Sequence, residues 1–398
     1  VAPIGVNVDN TPNQNHSEIS LLSQYVELVK REKWDEDFVR WSFIAFLGAL
    51  LGRRVFAKSG MEYEYPTLYI MFVGPPASKK SSVAKAPVSI FSKLLHHELN
   101  LSPDIMTPAA WLVSLLKYSD GSTDKLQTPI FMLVKEFITI LRDIGGGSPL
   151  DLLLALYDTR LPGEPFEKHT ISGGHITIPN PAVTVLGCTT RDALMETKLL
   201  QVGNTGFLSR FLPVFRDTSV RGVYKRPELD TILVNKMLPR LQWIASLRGE
   251  VKIHPSADKV LEEKFDLIAE ETETENRLFE SEFLARKFPH VVKVSMILAL
   301  SKGRMEILPQ DVEEAYAMVS DLKRSVMNLF PTKDFNILPR LMRGREKVEL
   351  KILIEESVQR NFFPDFSVAT KLVMSAIGIV LERFTEGEKI FVRLVKKV

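Results

Sequence analysis

Near its start the chain alternates apolar and polar positions with helical spacing: Ile19, Leu22, Tyr25, Val26 and Val29, then Phe38, Trp41, Phe43, Ile44 and Leu47. This spacing predicts two helices over 17–51, split near 34–37. Residues 55–66 predict a hairpin with its turn at Ser59-Gly60. The period then changes. Residues 67–73 (TLYIMFV), 130–134 (IFMLV) and 182–188 (AVTVLGC) are short continuous apolar runs, which suit strands covered on both faces, and 212–215 is a candidate fourth. Between them, 83–101, 107–118 and 150–157 predict helices. Residues 165–178 predict a hairpin turning at Gly173-Gly174.

From about 226 the pattern becomes helical. Amphipathic segments cover 228–248, 256–280, 282–302 and 309–329, the last opening on Pro309. Two further helical segments, 347–359 and 366–383, precede a hairpin with Glu386-Gly387 at its tip, an order that suggests a winged helix. Buried strands alternating with helices predict an α/β sheet. The expected organisation is a flexible tail (1–18), a helical lead-in (19–66), an α/β core (67–225), a helical lid (226–333) and a winged-helix-like module (334–398).

Composition changes this picture little. The 398 residues carry 51 Lys and Arg against 49 Asp and Glu, so bulk charge names no partner and any nucleic-acid surface must come from local clustering. The longest apolar run, 41–52, is too short to span a bilayer and ends against Arg53-Arg54. Residues 1–16 read as a tail without a secretory signal, and a chain opening on Val leaves upstream sequence open. The single cysteine, Cys188, excludes an internal disulfide and a cysteine-rich zinc site; a small buried strand residue and a reducing cytoplasm are expected. No His/Cys/Asp/Glu spacing supports zinc, and nothing resembles a Ser-His-Asp arrangement.

The chemistry concentrates after the first buried strand. Gly74-Pro75-Pro76-Ala77-Ser78-Lys79-Lys80-Ser81, followed by Ser82, approximates the phosphate-loop pattern G-x-x-x-x-G-K-[ST], with Lys79 in place of the second glycine. Such a loop needs backbone amides curled round an anion at the positive end of a helix. It also needs a lysine for the β/γ oxygens and a hydroxyl for Mg²⁺. Its place between a buried strand and a helix is a stronger signal than the motif itself. ATP and Mg²⁺ are the expected ligands.

The strand 130–134 ends in Lys135-Glu136. Glu136 is the carboxylate expected to orient water and to join Ser81 around the metal. Lys135 stands where an Asp is usual, which leaves open slow hydrolysis or binding without hydrolysis. At the end of the third strand, Thr189 is the candidate for the γ-phosphate or the water, with Thr190 beside it; capping the following helix is the competing role. Arg210, in Gly206-Phe207-Leu208-Ser209-Arg210-Phe211, is a candidate to reach a neighbouring subunit's γ-phosphate, or else an intrachain ion-pair partner. Arg286 is a candidate to contact nucleotide from the lid, or a surface charge.

Taken together, residues 19–330 resemble the P-loop ATPase domains of phage, plasmid and integrative-element primase–helicases. The resemblance rests on Leu51-Gly52-Arg53-Arg54-Val55, Tyr65-Pro66-Thr67-Leu68-Tyr69, the loop 74–82, Glu136-Phe137, Asn180-Pro181-Ala182, the 206–211 segment, and Ala285-Arg286 with His290-Val291-Val292-Lys293. Ser209-Arg210-Phe211 is similar to the arginine-finger segment of minichromosome-maintenance helicases. The resemblance implies an AAA+ (ASCE) fold, ATP and Mg²⁺, a homo-oligomeric ring, expected to be a hexamer, and translocation on DNA in replication of a mobile element or phage. A nucleotide-dependent assembly or loader scaffold is the alternative, favoured by Lys135; a DNA-binding regulator with a vestigial loop is a weaker third.

Candidate DNA contacts are the basic residues Arg340, Arg343, Arg345, Lys347 and Lys351, then Arg393, Lys396 and Lys397. A pore hairpin at 165–178 would add Lys168, His169 and His175. The segment 366–383 holds few basic residues, so backbone or protein contact is as plausible for it as base reading.

Overall fold

The computed structural model describes residues 19–60, 62–95, 99–101, 130–141, 149–157, 165–170, 174–178, 181–195, 206–217, 228–275, 278–329, 347–359, 370, 373, 381–386 and 389–394. The lead-in forms two helices, α1 (Leu21–Val29) and α2 (Glu36–Leu51). Asp35 caps α2 by accepting from the amides of Asp37 and Phe38, with Glu36 and Asp37 adding negative charge to the first turn. Helix α2 is apolar almost all round, which requires burial on all sides. It packs on α1, on α3 (Lys80–Leu95) and across the central sheet, with Phe38 against Phe72 at 4.6 Å. Strands β1 (Val55–Ser59) and β2 (Glu62–Glu64) form the expected hairpin.

The core is a five-stranded, all-parallel sheet. It contains β3 (Tyr69–Val73), β4 (Asn100–Leu101), β5 (Ile130–Val134), β8 (Val183–Thr189) and β9 (Phe211–Phe215), in the order β4-β5-β8-β3-β9. Every residue of β3, β8 and β9 is buried, as continuous apolar runs in a covered parallel sheet must be. Between β5 and β8 the chain forms α4 (Ile138–Leu141), α5 (Pro149–Tyr157) and the antiparallel hairpin β6 (Phe166–Thr170) and β7 (Gly174–Ile178). Short helices α6 (Arg191–Met195) and α7 (Phe207–Arg210) lie between β8 and β9.

Beyond the sheet come α8 (Thr231–Ser246), the short strands β10 (Gly249–Glu250) and β11 (Lys252–Ile253), then α9 (Pro255–Thr274), α10 (Leu278–Leu284), α11 (Lys287–Ser301), β12 (Glu306–Ile307) and α12 (Pro309–Leu329). Fully buried Asp311 ties the α11–α12 connection by accepting from Lys302, Arg304 and the Leu308 amide. The C-terminal segment contains β13 (Val348–Glu349), α13 (Leu350–Gln359), β14 (Leu381–Glu386) and β15 (Lys389–Leu394), with strand order β13-β15-β14.

Several boundaries differ from the sequence reading. The helix expected over 256–280 ends at Thr274, and a separate one begins at Leu278. The helix expected over 83–101 starts at Lys80 and ends at Leu95, because Asn100 and Leu101 pair with Ile130 and Phe131 at the sheet edge. The helix expected over 282–302 is broken at Ala285-Arg286. Pro289 has no amide hydrogen, so it fits the first turn of α11 but not the interior of a longer helix. Residues 381–383, expected at the end of a helix, belong to β14. The expected helix 107–118, most of 366–380, the basic residues 340–346, Lys396, Lys397 and the tail lie outside the described residues.

Gly48 of α2 sits so close to the lead-in of β3 that an added Cβ would lie 2.4 Å from the Pro66 carbonyl oxygen. Gly48→Ala is therefore expected to destabilise the fold by about 1–3 kcal/mol, measured by chemical denaturation. An unchanged midpoint would show that this contact relaxes freely.

Candidate functional site

Parallel strands deliver their following loops to one edge of a sheet. Val73 of β3 is in register with Thr189 of β8 and with Phe215 of β9, and Val134 of β5 pairs with Gly187. The loop 74–82, Glu136, Thr190 and Arg216 consequently share the carboxyl edge, where open α/β sheets take ligands.

The loop is closed by backbone contacts. The Gly74 amide donates to the Thr189 carbonyl at 3.3 Å, and a Cβ on Gly74 would lie 2.8 Å from the Arg216 carbonyl oxygen. Arg216 is itself held by Asp35, at 3.5 Å, and by Asp37. Its position beside the loop was not foreseen from sequence, because its partners are some 180 residues away. Ala77 and Lys79 adopt left-handed backbone, at φ 65° and 63°. The glycine of the general pattern stands where Lys79 is, and this conformation supplies the reason; a lysine carries it at a cost of roughly 1–2 kcal/mol. The first rung of α3 is the Val83 amide to the Lys79 carbonyl. The amides of Lys80, Ser81 and Ser82 thus precede the ladder, at the positive end of the helix. Pro75 is half-buried, Pro76 and Ala77 are exposed, and Ser78 is buried beneath them.

Lys80 is the centre of this arrangement. Its Nζ donates to the carbonyls of Gly74 (2.7 Å) and Pro75 (2.8 Å) and to Ser78 Oγ (3.1 Å). Burial lowers its pKa below the usual lysine range, opposed by Cys188 and Glu136. Cys188 is a neutral thiol at pH 7, since burial pushes it up to about 12, so the charge Lys80 feels is the Glu136 carboxylate. Buried Cys188 bears out its expected role as a small strand residue, and its thiol shares a hydrogen bond with Ser81.

Glu136 is exposed and aimed by its neighbour. The Phe137 amide donates to the Cys188 carbonyl at 2.9 Å, and the Phe137 ring fills the space over Gly187. A Cβ on Gly187 would fall 2.5 Å from that ring. A glycine inside an otherwise apolar strand was the available sequence signal for this close approach. Lys135, Ser81 and Cys188 border a crevice of about 10 Å³ between β5 and α3. Thr189 is buried and its hydroxyl donates to the Thr190 carbonyl at 3.4 Å; Thr190 Oγ1 accepts from the Ala193 amide and so caps α6.

Among the described residues no group of three or more His, Cys, Asp or Glu could hold a metal. Ser81 and Glu136 are hard oxygen donors at this edge, of the type that Mg²⁺ takes together with phosphate and water. Beside the loop, a cleft of about 400 Å³ runs from Ser82, Lys85 and Ala86 to Leu28, Trp34 and Leu233. Its size is that of a small-molecule site. Three separate segments wall it, so no local motif announced it.

Arg210 and Arg286 are not brought to the loop. Arg210 precedes β9, whose first residue, Phe211, pairs with Tyr69 at the start of β3. That is the opposite edge of the sheet, about 13 Å from Val73 at 3.3 Å per residue. Arg210 Nη1 donates to the Gly206 carbonyl at 3.0 Å. Arg286 lies over the Tyr157 ring at 5.7 Å, and Tyr157 packs edge-on against Tyr69 at 4.9 Å. Behind these arginines His290 bridges the Ser209 carbonyl (3.0 Å) and Tyr157 Oη (3.3 Å); Lys293 contacts Tyr157 Oη at 3.2 Å and Glu64 at 3.7 Å.

Of the expected DNA contacts, His175 is engaged inside its hairpin, with Thr177 at 3.0 Å and Glu167 at 3.8 Å. The side chains of Lys168 and His169 lie outside the described residues. Lys347 sits over Phe391 at 5.0 Å, and Lys351 approaches Glu355 at 4.0 Å. No helix among the described residues is long and apolar enough to cross a membrane.

The chain matches no protein-family model and no curated protein.

Two outcomes follow from this geometry. Gly187→Ala is expected to displace Phe137 and re-aim Glu136, at a cost of about 1–3 kcal/mol in stability, with a crystal structure of the variant showing the shift. The second concerns pH. His290 is held down to about 3, by burial first and then by the Lys293 charge, so the folded state keeps it neutral while the unfolded chain protonates it near pH 6.5. Its contribution to stability is therefore complete above that pH and is lost as pH falls toward 3. Glu64, raised by burial, has the opposite sign: its contribution is present at low pH and lost as pH rises through its folded value. Denaturation between about pH 7.5 and 4.5 should show a steeper fall for the wild type than for His290→Gln, by up to about 1.4 kcal/mol per pH unit. Parallel curves would rule out a neutral buried ring.

Proposed function

We propose that the chain is an ATP-dependent motor acting on DNA as an oligomeric ring. The observation that carries this reading is the Lys80 ammonium held inside a glycine-started loop at the carboxyl end of β3, with the Glu136 carboxylate opposing the loss of its charge. The strand order supports an AAA+ (ASCE) core: β8 is the additional strand between β3, which carries the loop, and β5, which carries the glutamate. In this reading the amides at the start of α3 and Lys80 bind the phosphates, and the cleft beside Ser82 takes the nucleoside. Ser81 and Glu136 hold Mg²⁺ with the phosphates, and Glu136 and Thr189 orient the attacking water. The metal supplies charge neutralisation on the phosphate oxygens.

Arg210 and Arg286 sit on the edge away from their own loop, which supports the reading that Arg210 serves a neighbour's triphosphate in a homo-oligomer, proposed as a hexamer. A role for Arg286 at its own nucleotide is not supported. The β6–β7 hairpin and the basic C-terminal residues are the proposed DNA contacts, and the β13–β15 sheet with α13 is read as part of a winged helix. The cytoplasm is the proposed compartment. Replication of a mobile element or phage is the proposed setting, resting on the family resemblance alone.

The second reading, a nucleotide-dependent assembly scaffold with little hydrolysis, is favoured by one observation: exposed Lys135 occupies the position of the usual metal-holding Asp. Phosphate release with and without single-stranded DNA separates the two. For a motor, DNA stimulates turnover, Glu136→Gln lowers it about 10²-fold or more with binding retained, and Lys80→Ala weakens nucleotide binding about 10- to 100-fold. Tight binding with negligible, DNA-independent turnover in the wild type would select the scaffold. Nucleotide affinity unmoved by Lys80→Ala would end both readings.

A further inference from the structure

The hydrogen bonds behind Arg210 have a direction fixed by their chemistry. The Ser209 carbonyl only accepts, so His290 carries its proton on Nε2. The neutral ring then offers Nδ1 as an acceptor, and the Tyr157 hydroxyl donates to it. An ammonium only donates, so Lys293 donates a hydrogen bond to the Tyr157 oxygen, and Glu64 faces the Lys293 charge. Glu64, Tyr157, His290 and Lys293 are each at least nine-tenths buried. In such surroundings no link reverses or opens alone without leaving a buried polar group unmet.

This chain of contacts joins four segments far apart in sequence: β2, α5, the lid helix α11 and the turn 206–210. Its last acceptor is one residue from Arg210. Helix α7 is only Phe207–Arg210, too short to hold itself. Within the turn Ser209 Oγ and Arg210 Nη1 both donate to the Gly206 carbonyl, and the turn packs against α10 and α5. Apolar packing of Phe207 and Phe211 anchors the turn. A directed hydrogen bond to the Ser209 carbonyl also fixes its rotation, and with it the bearing of the Arg210 side chain. Arg286, the capping position just before α11 and four residues ahead of His290, meets the same tyrosine ring.

We propose that His290 is the positioning residue for Arg210, and that through Tyr157 and Lys293 it locks the lid helix to the turn presenting that arginine to a neighbouring subunit. The proposal rests on the reading of Arg210 as acting on a neighbour's triphosphate. It adds a route by which a movement of a subunit's own lid alters the arginine it offers next door.

The test is a double-mutant cycle on the full chain, with phosphate release, nucleotide affinity by displacement of a fluorescent ATP analogue, and thermal melting read in parallel. His290→Leu keeps bulk and removes the donor; His290→Gln keeps an N–H donor. His290→Leu is expected to lower turnover about tenfold or more while nucleotide affinity stays within about twofold. His290→Gln should recover most of that loss, and His290→Leu should add nothing in an Arg210→Ala background. The proposal is overturned if Arg210→Ala is inactive while His290→Leu keeps full turnover, or if the leucine and glutamine variants behave alike. It is equally overturned if the Leu variant's losses in turnover and affinity match. If instead Arg210→Ala retains full turnover, the reading of the arginine fails and this inference fails with it, a result distinct from the others. Should His290→Leu fail to melt cooperatively, Tyr157→Phe, which keeps the ring and deletes the relay oxygen, takes its place with the same expected split between turnover and affinity.

Discussion

A lysine ammonium drawn into a loop of backbone carbonyls sets the terms for the carboxyl edge of this protein. Lys80 places its three donors on Gly74, Pro75 and Ser78, so the loop keeps its curl around its own cation. Burial alone would favour losing that charge, and the Glu136 carboxylate opposes the loss. The surrounding structure serves this pairing. Gly74 lets the Arg216 backbone approach, Gly187 makes room for Phe137, and the Phe137 amide bonds to β8, fixing the backbone beside Glu136. An arriving phosphate would replace carbonyl oxygens with better acceptors around a cation already in place, which is preorganisation in the electrostatic sense.

The opposite edge of the same sheet is built on a different principle. There the charges are buried behind the arginines rather than exposed to a ligand, and neutral links carry the connection: a tyrosine hydroxyl and a histidine held uncharged. A short, fully buried β3 separates the two edges and begins at Tyr69, which touches Tyr157. Helix α11 is buried along nearly its whole length.

Much of the architecture was legible because it depends on local periodicity. The continuous apolar runs gave β3, β5, β8 and β9, and Pro309 marked the start of α12 correctly. Glycine pairs and polar tips located the hairpins. The misplacements have particular causes. Asn100 and Leu101 have no strand signature of their own and become a strand because β5 offers them an edge. The break before α11 comes from Pro289, whose effect depends on where the helix starts. At the site, Gly74, Lys80, Ser81 and Glu136 stood out because phosphate and metal chemistry demand particular residue types next to a strand end. Arg216, Gly187 and Tyr157 did not, since each acts through partners distant in sequence, and His290 entered only through the family resemblance, without a role.

By itself the sequence determined the alternation of buried strands and helices and put a lysine-serine pair at the start of a helix, because hydrophobic period and motif spacing are properties of neighbouring residues. Only the tertiary structure decided which strand lies beside which, and hence that Glu136 and Lys80 follow strands flanking an inserted one while Arg210 and Arg286 share the far edge. Strand order and sidedness come from burying apolar faces against segments hundreds of residues away, and no local pattern encodes which segment that will be.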